Sequence, residues 1–498
     1  MINRLMKSIS YNGRYNFDFP LILTTLLLVA VGVIFIYSAG SYGVVKTFLA
    51  PHIKQVIYLL PGIALFAFFL FFNYQKLGNY WLAMYLAATV SLILVLVLPE
   101  PYAIKVNNAK SWFSLGGKVS IQPSEFAKIL LILVLAKYID HFSKSIGSIS
   151  KLVVALAIPM PIIVLVMLQS DPGTATVFIP ITLFMLLVGG ANLRHIIIVI
   201  AIGVFTLILA FYPNHLIHKN DKLLQRDKIE NVVKASALFS MLLTKSDHQK
   251  LKRVKLSSIQ NASVRRNEYY KKIKVIKNRV MYKTLELAGI VLLIAIVIFL
   301  IYKIIPIRLS QYLAITFFVI AMSLGSAALG QQFLKTHHTK RIQSFIDLDA
   351  DPRGSGYNQR QSLIAIGSGG AIGHGLLNGP QNKLNFIPEK TTDFIFAVIG
   401  EEWGFFRGSL FVLILYAILI YRGMMIAYNS RDYFGTLIAT GITAMFFTHI
   451  FTNLAMCAGI WPVMGIPLPF LSSGGSSLLV NLVCVALLIN ISQRRFVH

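Results

Sequence analysis

The chain is 498 residues long, 56% hydrophobic and only 13% charged, with a formal net charge of +27 at pH 7. That composition excludes a charge-driven disordered chain and points to an all-α polytopic membrane protein. A nucleic-acid partner is excluded by where the charge sits, because most Lys and Arg lie at the ends of apolar runs. There the positive-inside rule and anionic headgroups account for it, so membrane lipids are the partner it implies.

The N-terminal stretch MINRLMKSISYNGRYN is basic, carries no cleavable signal pattern and argues for a cytoplasmic N-terminus. Spans are expected at about Phe19 to Ala39, Gln55 to Phe72 and Tyr80 to Leu98. The external segment Pro99 to Ile121 reads as a loop in which Trp112 and Phe113 form part of an aromatic belt. A fourth span runs from about Pro123 to Tyr138, with Glu125 and Lys128 on one helix face just inside it. Ionisable groups in a membrane segment are expensive and are functional candidates, although a Glu–Lys pair also neutralises itself. Spans five and six, about Leu152 to Gln169 and Thr174 to Gly190, flank QSDPGTA. Asp171 sits there as a helix N-cap or as a site residue. Span seven follows at about Ile196 to Tyr212.

The segment from Pro213 to Thr284 holds 18 Lys and Arg against 5 acidic residues, a net +13. Two further apolar runs, about Leu285 to Tyr302 and Leu309 to Leu329, form an inserted hairpin. Counting spans puts the basic segment outside, against the charge rule, which long loops obey weakly. The last spans are expected at about Phe394 to Tyr421, Gly435 to Ile460 and Ser477 to Ile491, with a cytoplasmic C-terminus. The expected organisation is about twelve spans in four parts: 1–212 with seven spans, the insertion 213–340, a large extracytoplasmic loop 341–393, and 394–498 with three spans. WPVMGIPLPFLSSGGSS, between the last two spans, breaks helix, which membrane depth tolerates only inside protein or beside a wet cavity.

The stretch Arg341 to Glu402 carries most of the chemistry-bearing residues. GSGGAIGHG lacks the flanking strand of a dinucleotide site, so its glycines are read as tight turns or close backbone approach. Tyr357, Gln361 and Gln381 suit a sugar, and Arg341, Arg353, Arg360 and Lys390 suit a phosphate. Glu389 and Asp393 lie four apart, and Asp393 precedes FIFAVI, where the chain re-enters lipid. A carboxylate that loses water on one side becomes a better base, while the bland role of Asp393 is an N-cap. Glu401 and Glu402 lie about two turns deeper on the same apolar helix, where capping does not explain them; Lys128 is one potential partner. His337 and His338 are adjacent and lack the helical spacing of a metal pair, and Cys457 and Cys484 form no metal or disulfide pattern.

Four blocks in order, IQPSEFAK at 121–128, QSDPGTA at 169–175, GYNQRQSLIAIGSGG through PEKTTDFIFAVIGEEWG at 356–404, and PVMGIPLPFLSSGGSS at 462–477, resemble the SEDS family. These are membrane glycosyltransferases that polymerise peptidoglycan from lipid II, and IGSGG and NGPQNKLNF look more like the elongation members than the division members. The resemblance implies a ten-span core in the bacterial cytoplasmic membrane, to which the insertion is extra. It implies Asp393 as catalytic base and Glu125 and Lys128 as a functionally sensitive pair. It also implies lipid II and the growing glycan strand as substrates and a class B penicillin-binding protein, a transpeptidase, as partner. The leaving diphosphate needs positive charge from Lys128, loop arginines or a divalent cation such as Mg or Mn. Departures are Pro172 after Asp171, Ser111 where the family has Arg, and Ser473 where it has Tyr. Rival readings are a flippase or transporter for a polyprenyl-linked sugar, and a non-catalytic scaffold for a transpeptidase.

Overall fold

Long runs of Leu, Ile, Val and Phe fold as helices here because backbone polar groups in hydrocarbon must bond within their own segment. The computed structural model describes residues 17–42, 50–106, 109–115, 119–219, 282, 284–301, 303, 308–333, 341, 345 and 354–495. Most of the basic insertion, together with His337, His338 and Arg353, lies outside the described residues. The chain divides into two compact units, Met1–Asn192 with Ser344–His498, and Leu193–Gln343.

The first unit opens with α1 (Phe19–Ser41), α2 (Pro51–Phe71) and α3 (Tyr74–Val97). Asp18 starts α1 by accepting the Leu21 amide, and it is also gripped by Arg422, Nε to Oδ1 at 2.9 Å and Nη2 to Oδ2 at 2.5 Å. Residues 103–121, expected as a plain loop, form an antiparallel sheet of β1 (Ala103–Val106), β2 (Ala109–Leu115) and β3 (Val119–Ile121) in the order β1-β2-β3. Trp112 and Phe113 lie on β2, where Trp112 pairs with Ile104, and Phe113 with both Ala103 and Ile121. The sheet is anchored by Lys110, whose amide donates to Gln169 O at 3.1 Å and whose Nζ donates to Leu96 O at 2.8 Å.

Next come α4 (Pro123–His141), the proline-broken pair α5 (Ile149–Ala157) and α6 (Met160–Leu168), and α7 (Pro172–Val188). In the second unit α8 (Leu193–Lys219), α9 (Thr284–Ile301) and α10 (Arg308–Phe333) follow. Span seven and the insertion's second run pack on each other there: Ser323 Oγ donates to Ile202 O at 3.3 Å, and the Thr206 and Ser326 hydroxyls meet at 2.7 Å.

The first unit resumes with α11 (Ser355–Gly369), the single turn α12 (Pro380–Lys383), α13 (Ile395–Gly404), a π turn at Phe405–Ser409, and α14 (Leu410–Tyr428). It closes with α15 (Tyr433–Cys457) and α16 (Gly475–Arg494). Eight helices among the described residues are long and apolar enough to cross a membrane, and three shorter ones are apolar. With α4, whose four charges set it apart, every expected span falls on a helix.

The core sits on α15 and α16, buried over 83% and 89% of their central windows against 17% for α2. These two are the inner helices, so polar residues on them face protein rather than lipid. Glycine permits close backbone approaches around this core. Gly173 at the start of α7 lies against Met464 O, where a Cβ would collide, and Gly373 and Gly404, at φ +85° and +74°, press their backbones together.

Candidate functional site

Asp393 stands at the end of a turn that the main chain builds. Glu389, at φ +48°, turns its carbonyl to accept the amides of Thr392, Asp393 and Phe394 at 3.1–3.3 Å. Helix α13 then starts at Ile395, with Phe394 as its N-cap residue. The Asp393 carbonyl accepts Asn453 Nδ2 at 2.8 Å, and Oδ2 lies beside Gly465, 3.4 Å from where a Cβ would be. The residue is half-buried, with its main chain fixed at both ends and its carboxylate set against the helix-breaking loop.

The segment before it is held by a buried polar network. Glu401 accepts the Gln381 amide at 2.6 Å and the Asn382 amide at 3.1 Å, so it caps α12 rather than its own helix. Glu402 accepts Ser38 Oγ at 2.6 Å and Asn382 Nδ2 at 2.8 Å. Glu401 is therefore a cap, against expectation, though of another helix; Glu402 bonds side chains instead, and the ion pair of Lys128 is with Glu125. Lys390, a phosphate candidate from the sequence, is buried and spends its ammonium on Asn382 O, Asn382 Oδ1 and Asn385 Oδ1 at 2.7–2.8 Å. Gln381 gives its main-chain amide to Glu401, and its side-chain Oε1 is buried.

Burial pushes the Lys390 amine down to about 8, against the opposing pull of Glu402 and Glu401. Between that value and the ordinary 10.5, the unfolded chain binds a proton that the folded chain has lost, so this group adds stability as pH rises. The thermal midpoint of the wild type should therefore gain on that of Lys390→Met as pH rises from 8 to 10. A difference between the two that does not change with pH would count against the depressed amine.

Glu125 and Lys128 form a buried ion pair on α4, Nζ to Oε1 at 2.7 Å, with relative exposures of 3% and 1%. Lys128 Nζ also lies 2.9 Å from Nε2 of His449, whose Nδ1 is 3.3 Å from Pro467 O. At 1% exposure the Lys128 ammonium is enclosed with these two partners. Asp171 caps α7 through the Thr174 amide at 3.1 Å and hydroxyl at 2.8 Å, and its other contact is Gln122 Nε2 at 3.0 Å. Burial pushes its carboxyl up, against the Thr174 hydrogen bonds.

The loop 458–474 gathers these pieces. It touches α7 through Met464 and Gly173, His449 through Pro467, and the Asp393 turn through Ser472 Oγ to Thr392 O at 2.6 Å and the Ser473 amide to Thr391 O at 2.8 Å. Side chains satisfy two of its carbonyls, as membrane depth favours: Tyr416 donates to Pro469 O at 2.6 Å and Asn453 to Ile466 O at 2.7 Å.

Tyr357 and Gln361 lie four apart on one half-exposed face of α11, whose other face is fixed by Gln359 Nε2 to Trp461 O at 3.1 Å and Ser362 Oγ to Cys457 O at 3.0 Å. Glu389 and Arg360 are exposed, and Arg341 belongs to the second unit. No group of three or more His, Cys, Asp and Glu suited to a metal occurs among the described residues, so they offer Mg or Mn no protein cage. Sequence reading passed over His449, Asn453, Ser38 and Asn382. The available signal was a His and an Asn four apart on an otherwise apolar helix.

A family model described as cell cycle protein, covering FtsW, RodA and SpoVE, matches residues 19–236 and 257–496. The chain belongs to that family. It is 30% identical to the peptidoglycan glycosyltransferase RodA of Treponema pallidum, over 97% of this chain and 99% of the relative. To the stage V sporulation protein E of Bacillus subtilis it is 29% identical, over 96% and 97%. Crystalline RodA of Thermus thermophilus superposes with a TM-score of 0.54 at 19% identity, covering 97% of this chain and 98% of that one. A chain from a peptidoglycan synthase complex that coordinates polymerization and crosslinking gives 0.61 at 21% identity, covering 97% and 99%. At such identities the structural likeness establishes the family's fold.

Proposed function

We propose that this membrane protein is a peptidoglycan glycosyltransferase that polymerises lipid II into glycan strands during cell-wall elongation, with Asp393 as the general base. The observation that carries this reading is the end-to-end similarity to a relative named peptidoglycan glycosyltransferase RodA. The local geometry supports Asp393, whose carboxylate is carried on a main-chain-anchored turn beside Gly465. Asp393 takes the proton of the acceptor sugar's hydroxyl as that oxygen bonds to the anomeric carbon of the donor strand. The bond from that carbon to the phosphate oxygen breaks, and undecaprenyl diphosphate leaves with its electron pair, inverting the centre.

Tyr357 and Gln361 on α11 supply hydrogen-bond groups for sugar, and Arg360 supplies positive charge. A divalent cation, Mg or Mn, would be held through diphosphate oxygens and water, as Mg commonly is. The proposed orientation has both termini in the cytoplasm and the Asp393 turn on the outer face of the bacterial inner membrane. The proposed partner is a class B penicillin-binding protein, in keeping with the synthase complex that shares this fold.

Purified protein in detergent, given fluorescent lipid II, should build a ladder of glycan chains without any membrane compartment. Lipid II exchange between leaflets of proteoliposomes, with no polymer formed in either format, would replace the polymerase with a flippase.

A further inference from the structure

We propose that His449 and Asn453 are positioning residues for glycosyl transfer, tying the buried Glu125–Lys128 pair to the loop 458–474 and to the main chain of Asp393. The proposal rests on the glycosyltransferase reading and deepens it. Lysine has donors and no acceptor. The ammonium of Lys128 therefore donates to Glu125 Oε1 at 2.7 Å and to His449 Nε2 at 2.9 Å. That fixes the His449 tautomer: Nε2 carries the lone pair and Nδ1 the hydrogen, which points to Pro467 O at 3.3 Å.

One helical turn further along α15, the fully buried Asn453 uses both N–H groups of its amide, one on Asp393 O at 2.8 Å and one on Ile466 O at 2.7 Å. Two consecutive carbonyls of the loop, at 466 and 467, are thus held from two consecutive turns of one helix. The loop meets the Asp393 turn at Gly465, against which the Asp393 carboxylate rests. Ser472 and Ser473 pin the same loop to Thr392 and Thr391. A rotation of His449 moves Pro467 and Ile466, and with them the surface that sets the carboxylate.

The test uses full-length protein in lipid nanodiscs with fluorescent lipid II. His449→Ala should lower kcat by about 10²-fold with KM changed less than about threefold, the pattern of misplaced catalytic groups. His449→Gln keeps an acceptor toward Lys128 and a donor toward Pro467, and should recover most of the loss. Asn453→Leu, of similar size but with no donor, should match the alanine variant. Wild-type kcat in His449→Ala overturns the proposal, as does an equal loss in the Ala and Gln variants that follows their thermal stability. Should the wild type make no polymer, the glycosyltransferase reading itself fails, and ¹⁵N-histidine spectra in the same nanodiscs still decide the geometry. The signal that disappears in His449→Gln supports the proposal if it is the Nδ1–H tautomer, and overturns it if Nε2 carries the hydrogen.

Discussion

Asp393→Asn is expected to abolish lipid II polymerisation by the purified protein while leaving it folded in the membrane. Losing a general base typically costs ~10²–10⁴-fold in rate. Folding is spared because two main-chain contacts at residue 393 are kept in the variant: its amide to Glu389 O, and its carbonyl to Asn453 Nδ2. An amide of the same shape leaves that main-chain frame in place. Two readings are needed, chain growth on fluorescent lipid II and the thermal midpoint in detergent. Full-length polymer from the variant would remove Asp393 as the base and return the scaffold reading to consideration.

Lys128→Met is expected to lose both stability and activity. Breaking a buried ion pair by removing one partner costs about 3–5 kcal/mol, because the remaining charge is stranded. Here Glu125 is stranded at 3% exposure, and His449 Nε2 loses the Lys128 ammonium that donates to it. The double variant Glu125→Gln with Lys128→Met removes both charges and should recover most of the thermal stability. Its polymerisation should stay low, since His449 still lacks the ammonium that orients it. Restored polymerisation in the double variant, or wild-type rates in the single one, would make the pair a purely structural device.

The spans and the candidate turn were legible for local reasons. Hydropathy over about 20 consecutive residues sets whether a segment enters lipid, and α1, α2 and α14 announce themselves that way. The four polar blocks placed Asp393, Asp171 and the Glu125–Lys128 pair because each falls where an apolar run starts. The sheet at 103–121 was not legible, since its strands are short and each depends on its neighbour's register. Lys390 misled for a different reason. A lysine in a polar loop reads as a free cation until its three acceptors are seen.

From its sequence alone this chain is a membrane protein with an acidic turn at the edge of its eighth core span, and Asp393 is the residue to test. Partnership was settled by the fold. Ser38 meets Glu402 across 364 residues of sequence, and Lys128 meets His449 across 321. Such contacts leave no periodic trace, because a hydrogen bond depends on where two side chains end in space and not on their spacing along the chain. Hydropathy places a helix in the bilayer; which of its faces turns inward, and what each buried polar group finds there, follows from packing against the other helices.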